Sequence, residues 1–313
     1  MSMLNITQLS KSFGTNKVID GVEFSVPEGS IFGFIGPNGA GKTTTMKMAL
    51  GLLEIDSGEI VICGEKAEFG KTAKEVGYLP DVPEFYNYMK PIEYLTLCGE
   101  ISGMSKAEIK NRGGELLELV GLSKVNRKVG GFSRGMKQRL GMAQALLNKP
   151  KLLICDEPTS ALDPVGRKEI LDILGEIRGE TTVVFSTHIL SDVERICDRA
   201  VFLHGGKIVL DGEISELKRK HSESYSIEFA EPKSAERMGA LFVDAVVEKN
   251  TVTIKNSSGE PIIKALNENN LIPIKFELLE YTLEDLYLEA LSDEVLSQKT
   301  KADSSLDTTE VQK

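Results

Sequence analysis

The chain has 313 residues, 41% of them hydrophobic and 27% charged, the profile of an ordinary globular protein with room for about two domains. Its formal net charge of −10 argues against a nucleic-acid partner held by bulk electrostatics, because phosphate backbones are gripped by clustered Lys and Arg. Cys63, Cys98, Cys155 and Cys197 are scattered without a CxxC pair, which argues against zinc or disulfides and for a reduced cytosol; no signal-peptide pattern opens the chain and no run of about 18 apolar residues occurs.

Residues 3–62 read as short strands interrupted by one helix that starts near Gly41. Within them the apolar run Ile31 to Ile35 feeds straight into a glycine-rich turn, giving the order strand, loop, helix. Residues 90–148 read as a helical subdomain: Met136, Leu140, Ala143 and Leu147 share one face at helical periodicity, and Pro150 ends the segment. From Lys151 alternation returns, with buried-type runs Leu152 to Cys155, Thr182 to Phe185 and Ala200 to Leu203 between helical stretches, the pattern of an α/β fold with a largely parallel sheet.

A second unit is expected from His221. Strand patterns at Tyr225 to Phe229, Ala245 to Glu248, Val252 to Lys255 and Pro273 to Leu278 alternate with helices and precede a last helix at Leu283 to Leu291. The order βαββαβ, then α, predicts a small ferredoxin-like α+β domain. Residues beyond Ser292 are too polar to offset their ordering entropy, so the expected division is 1–220, 221–291 and a disordered tail, 292–313.

Gly36-Pro37-Asn38-Gly39-Ala40-Gly41-Lys42-Thr43 fits GxxxxGK[ST] between an apolar strand and a helix, the context that lifts this pattern above a mere glycine-rich turn. Glycines let backbone N–H groups face an anion and the helix N-terminus adds positive potential. Lys42 is then expected on the β- and γ-phosphates of ATP, the Thr43 hydroxyl on Mg²⁺ and Thr44 on an α- or β-phosphate. Leu152 to Cys155 ends in adjacent carboxylates, Asp156 and Glu157, an arrangement in which Asp156 holds Mg²⁺ and Glu157 polarises the attacking water. His188 follows the run through Thr187 and is expected at the sheet's C-terminal edge, where open α/β sheets bind ligands.

Phe132-Ser133-Arg134-Gly135-Met136, followed by Lys-Gln-Arg-Leu and lying 20 residues before Asp156, resembles the signature of the ATP-binding-cassette (ABC) ATPase family. The resemblance covers roughly residues 3–215 and implies a P-loop cassette: a RecA-like α/β core with an antiparallel β subdomain and a helical subdomain. It also implies Phe13 as the adenine-stacking aromatic, Ser160 to Asp163 as the D-loop and His188 as the switch histidine. Ser133 and Gly135 would complete the ATP site of a second copy, and a separately encoded membrane permease would be driven from the inner face of the cell membrane. The family's nucleic-acid-coupled members usually carry a long coiled coil or a second cassette, and this chain has neither, so no nucleic acid is expected.

The chain departs from the commonest family pattern at Arg134 and Met136, where Gly and Gln are usual, and at Asp81, where a γ-phosphate-sensing Gln is usual. A carboxylate at position 81 could still bind Mg²⁺ or its water, and a loop aspartate without nucleotide contact is the alternative. Phe85, Tyr86, Tyr88 and Tyr94 suit either a permease-docking surface or packing inside the helical subdomain. The C-terminal unit, ending Tyr281 to Ala290, resembles the accessory domain of the drug-resistance and sodium-export branch of ABC exporters.

Overall fold

The computed structural model describes residues 2–71, 73–221, 224–255, 257–279 and 282–292. Tyr281 and the segment read as a tail beyond Ser292 lie outside the described residues. The chain divides into two compact units, one ending at Gly212 and the other beginning at Glu213.

In chain order the first unit comprises β1 (Ser2–Phe13), β2 (Asn16–Pro27), β3 (Ile31–Ile35), α1 (Lys42–Ala49), β4 (Ser57–Ile62), β5 (Glu65–Lys66), β6 (Val76–Leu79), α2 (Pro91–Ile101), α3 (Lys106–Leu119), α4 (Arg134–Ala145), β7 (Leu152–Asp156), α5 (Pro164–Glu176), β8 (Thr182–Thr187), α6 (Leu190–Ile196), β9 (Arg199–His204) and β10 (Lys207–Glu213). Local chemistry explains several helix starts: Ser105 and Glu108 form a capping box on α3, Ser133 caps α4, and Asp163 caps α5 ahead of Pro164.

Two sheets stack. One is antiparallel, in the order β2-β1-β4-β5; the other runs β10-β9-β3-β8-β7-β6, with β9, β3, β8, β7 and β6 mutually parallel. Phe24 of β2 stacks on Phe32 and Phe34 of β3 at centroid distances of 5.5 and 5.3 Å, and Ile6, Leu9, Val201 and Leu203 extend the same core. Strands β3, β7 and β8 are buried along their whole length, as expected for a parallel sheet covered on both faces. Their C-terminal ends at Ile35, Asp156 and Thr187 therefore stand side by side, with Ile35 paired to Thr187 and Asp156 to Ser186.

Helices α2, α3 and α4 lie between β6 and β7 in sequence, matching the helical segment expected there. Tyr94 of α2 is buried, meets Phe85 edge-on at 4.9 Å and donates to Gln144 Oε1 at 3.0 Å, whereas Tyr86 and Tyr88 are exposed. The aromatic cluster thus splits between packing and surface.

The second unit holds α7 (Ile214–His221), β11 (Tyr225–Glu228), α8 (Pro232–Gly239), β12 (Ala245–Glu248), β13 (Thr251–Ile254), α9 (Gly259–Glu268) and β14 (Lys275–Leu278), followed by helical residues 283–292. Its strands pair antiparallel in the order β12-β13-β11-β14, so the βαββαβ connectivity forms one ferredoxin-like sheet. Ile227, Phe229, Val252 and Ile254 pack against Ala235, Met238, Ile262 and Leu266 of α8 and α9. In the last helix Leu283 and Leu286, three residues apart and so on one face, are buried.

Candidate active site

The turn from Gly36 to Gly41 joins β3 to α1, and Lys42, Thr43 and Thr44 open the helix. Its backbone is held from outside. A Cβ on Gly36 would lie 2.4 Å from the Leu203 carbonyl oxygen, and one on Gly41, whose φ is 108°, would lie 2.4 Å from Ile19 Cδ1. Only glycine fits at both positions. The first turn of a helix leaves N–H groups without intrahelical acceptors, and Gly41 brings no capping side chain, so the amides of Lys42, Thr43 and Thr44 form an anion cradle.

Lys42 is 5% exposed. Its Nζ donates to the carbonyl oxygens of Gly36 at 2.6 Å and Pro37 at 3.2 Å, and stands 3.0 Å from Glu157 Oε1. That contact is an ion pair without hydrogen-bond alignment, and the buried Oε1 accepts no other hydrogen bond. The other carboxylate oxygen, Oε2, is 2.9 Å from His188 Nδ1. Glu157 reaches both partners because its backbone turns left-handed, with φ 48°, where the strand ends.

Asp156 is 4% exposed at the end of β7. Ser186 of β8 donates to Asp156 Oδ1 at 2.7 Å, and its oxygen accepts from the Glu157 N–H at 3.0 Å. One hydroxyl thereby fixes both acids. Burial first, then the nearby Asp156, Cys155 and Asp81, push the Tyr78 hydroxyl up to about 12. Among the described residues no group of three His, Cys, Asp or Glu side chains is arranged as a metal site of its own. The Thr43 hydroxyl and the Asp156 carboxylate are hard oxygen donors of the kind that bind magnesium together with substrate phosphates.

Phe13 is exposed at the end of β1, with Lys11 Nζ 5.7 Å from the ring centroid. Ser133 and Gly135 stand at the start of α4, where the Ser133 oxygen accepts from the Met136 N–H at 3.2 Å. A Cβ on Gly135 would have no neighbour nearer than 4.0 Å, so the surface beside it is open. Asp163 accepts from the Gly166 N–H at 2.8 Å. Asp81 Oδ1 accepts from the Ser160 hydroxyl at 2.6 Å and from Arg134 at 3.1 Å.

The structure therefore joins Lys42, Glu157, His188 and Asp156 in one cluster, and gathers Asp81 with the segment containing Ser133 and Gly135 in another. Sequence reasoning missed Ser186, whose one signal is a hydroxyl interrupting the apolar run TVVFST. It also missed buried Asp192, which accepts from Thr159 at 2.7 Å and Arg167 at 2.6 Å and ties the turn after Glu157 to the helix after His188.

A family profile described as "ABC transporter" matches residues 19–160. YxlF of Bacillus subtilis (strain 168), described as an uncharacterized ABC transporter ATP-binding protein, is 40% identical over 296 residues, covering 92% of this chain and 99% of that one. The chain belongs to the ABC transporter ATP-binding family. Its similarity extends to the bacitracin transport ATP-binding protein BcrA of Bacillus licheniformis, 36% identical over 303 residues, 93% of this chain and 97% of BcrA. A solved structure described as the ATP-binding subunit of an ABC transporter superimposes with a TM-score of 0.63 at 34% identity, over 70% of this chain and 93% of the other. This ABC protein is thus the ATP-binding subunit of a transporter, in a family that hydrolyses ATP to power transport and works with separate membrane permease components. Among the described residues no helix is long and apolar enough to cross a membrane.

Proposed function

We propose that two copies of this subunit close over two ATP molecules at the cytoplasmic face of the cell membrane and drive export through a separately encoded permease. The observation that carries the reading is the series Lys42, Glu157, His188, within 3.0 Å at each contact, beside the glycine cradle. In this reading Lys42 and the amides of α1 bind the β- and γ-phosphates, Thr44 adds a phosphate contact and Phe13 stacks on the adenine. Magnesium, held by Thr43 and Asp156, would neutralise charge on the phosphate oxygens. Glu157 polarises the attacking water, and His188 holds that carboxylate in place through Oε2.

Two copies are supported by the open position of Ser133 and Gly135, which gather with Asp81 instead of Lys42 and so suit the nucleotide of another subunit, next to Asp163 and the D-loop. Closure around a shared γ-phosphate, and reopening on its loss, then converts hydrolysis into motion. Exposed Tyr86 and Tyr88 suit the permease contact, and the likeness to a bacitracin transport protein along nearly its whole length supports export. The C-terminal unit is read as an accessory domain. The test is purification of the tagged full chain from membranes, with a search for a co-purifying multi-span protein and a mass measurement with and without Mg²⁺ and ATP. A chain that stays monomeric under both conditions would reject the paired arrangement.

A further inference from the structure

Asp81 and Arg134, two of the positions where this chain departs from the commoner family residues, are partners of each other. Arg134 donates to Asp81 Oδ1 at 3.1 Å and to the Ser160 oxygen at 3.4 Å, while the Ser160 hydroxyl donates to the same Asp81 oxygen at 2.6 Å. Three stretches of chain meet in this triangle: the loop after β6, the first turn of α4 and the turn after β7.

An isolated exposed ion pair contributes little to a fold. This one differs in two respects. It has a third member, Ser160, and its two charged residues share one pocket lining with the apolar Val82, Pro83 and Phe132. Each end is also tied to a group that the proposed function puts at a nucleotide. The Ser160 N–H donates to the Glu157 carbonyl at 3.0 Å, and Arg134 directly follows Ser133. Because β6 and β7 are parallel with Leu79 opposite Cys155, Asp81 and Glu157 each stand two residues beyond that pair, at one edge of the sheet.

We infer that Asp81 and Arg134 are positioning residues for ATP turnover: the pair, closed by Ser160, holds the segment Ser133 to Gly135 in fixed register with the turn that carries Glu157. The inference rests on the paired-subunit reading and deepens it. It replaces metal binding at Asp81 by a role exercised through Arg134. Breaking the pair leaves the cradle around Lys42 intact, so ATP binds as before, while the segment that closes on the second copy's nucleotide loses its orientation.

The test is a double-mutant cycle in the full chain with Asp81→Arg, Arg134→Asp and the exchanged double variant, read by steady-state ATPase activity, magnesium titration and thermal melting. Each single variant lowers kcat about 10-fold while the KM for ATP and the magnesium half-saturation stay within about 2-fold of wild type. The exchanged pair returns to within about 3-fold of the wild-type kcat. Single variants with shifted melting but unchanged kcat would reduce the pair to a structural contact and overturn the inference. So would additive losses in the double variant, or a magnesium dependence shifted by the Asp81 substitution and not by that of Arg134, which would make Asp81 a metal ligand. Where reversal prevents folding, Asp81→Asn and Arg134→Gln supply the same cycle, with equal and non-additive losses expected and additive ones decisive against it. A wild-type chain that never pairs defeats the proposed function; additivity in an active wild-type background defeats only this inference.

Discussion

Lys42 Nζ and Glu157 Oε1 face each other at 3.0 Å, with only 6% and 12% of their side chains exposed. The cation of the phosphate cradle and the acid beside it thus partly neutralise each other. Glu157→Gln removes that neutralisation and the water-polarising charge together. ATP affinity is expected to hold or rise in this variant while turnover drops at least about 10²-fold. Equilibrium nucleotide binding alongside ATPase rates checks both halves, and near-normal turnover would remove Glu157 from its role.

Ser186 joins the two acids, so Ser186→Ala strands a buried carboxylate oxygen and the Glu157 amide at once. The expected loss is about 1–3 kcal/mol of stability. Turnover should fall with it, because Glu157 loses the anchor of its left-handed turn. Urea unfolding of the purified chain measures the first effect; a midpoint equal to wild type would show that neither bond matters.

Asp192 touches no group assigned to ATP, yet Asp192→Ala leaves Thr159 and Arg167 without their shared buried acceptor. Arg167 is partly exposed, so the loss expected from these unmade bonds is about 1–3 kcal/mol. The Glu157 to His188 spacing loosens as well, since Asp192 bridges the segments that follow each. ATPase activity of the folded fraction is expected to fall with stability, and intact kinetics in a destabilised variant would confine Asp192 to folding.

Cys155 is fully buried, and burial, reinforced by the Asp156 charge, pushes its thiol well above the ordinary value of 9.0. Above that value the unfolded chain releases the proton and the folded chain keeps it, so the unfolded state binds fewer protons. Stability from this group is therefore complete below about pH 9 and declines as pH rises further. Thermal melts across that range should show a decline that Cys155→Ala makes shallower. In native buffer a thiol reagent should leave Cys155 unmodified, and rapid labelling without denaturant would contradict its enclosure.

The places in the fold of the glycine-rich turn after β3 and of the Asp156-Glu157 pair at the end of β7 are legible because each is a short motif joined to a continuous apolar strand. Strands of the second unit fall where the pattern places them, with β11 beginning at Tyr225 and β12 spanning Ala245–Glu248, although only β13 alternates half-buried with buried residues along its length. Other features depend on contacts that no local pattern encodes. Periodicity puts Met136 on one face with Leu140 and Ala143, yet it is only half-buried in α4, while Gln138, Gly141 and Met142 off that face are buried as well. The helix is enclosed on more than one side, with a Cβ on Gly141 only 2.7 Å from Leu79 Cδ1. The irregular register of β1 between Ile6 and Leu9 likewise breaks the alternation that would have announced its pairing with β2. The Asp81–Arg134 contact arises only when the end of β6 and the start of α4 come together in space.

Gly41 backs onto Val18 and Ile19 of β2 with no room for a methyl group, so the cradle inherits the stiffness of the antiparallel sheet behind it. A ligand entering such a preshaped loop loses little entropy to ordering it. Capture is then limited by encounter, and variants remote from the loop should alter how long a nucleotide stays far more than how fast it arrives.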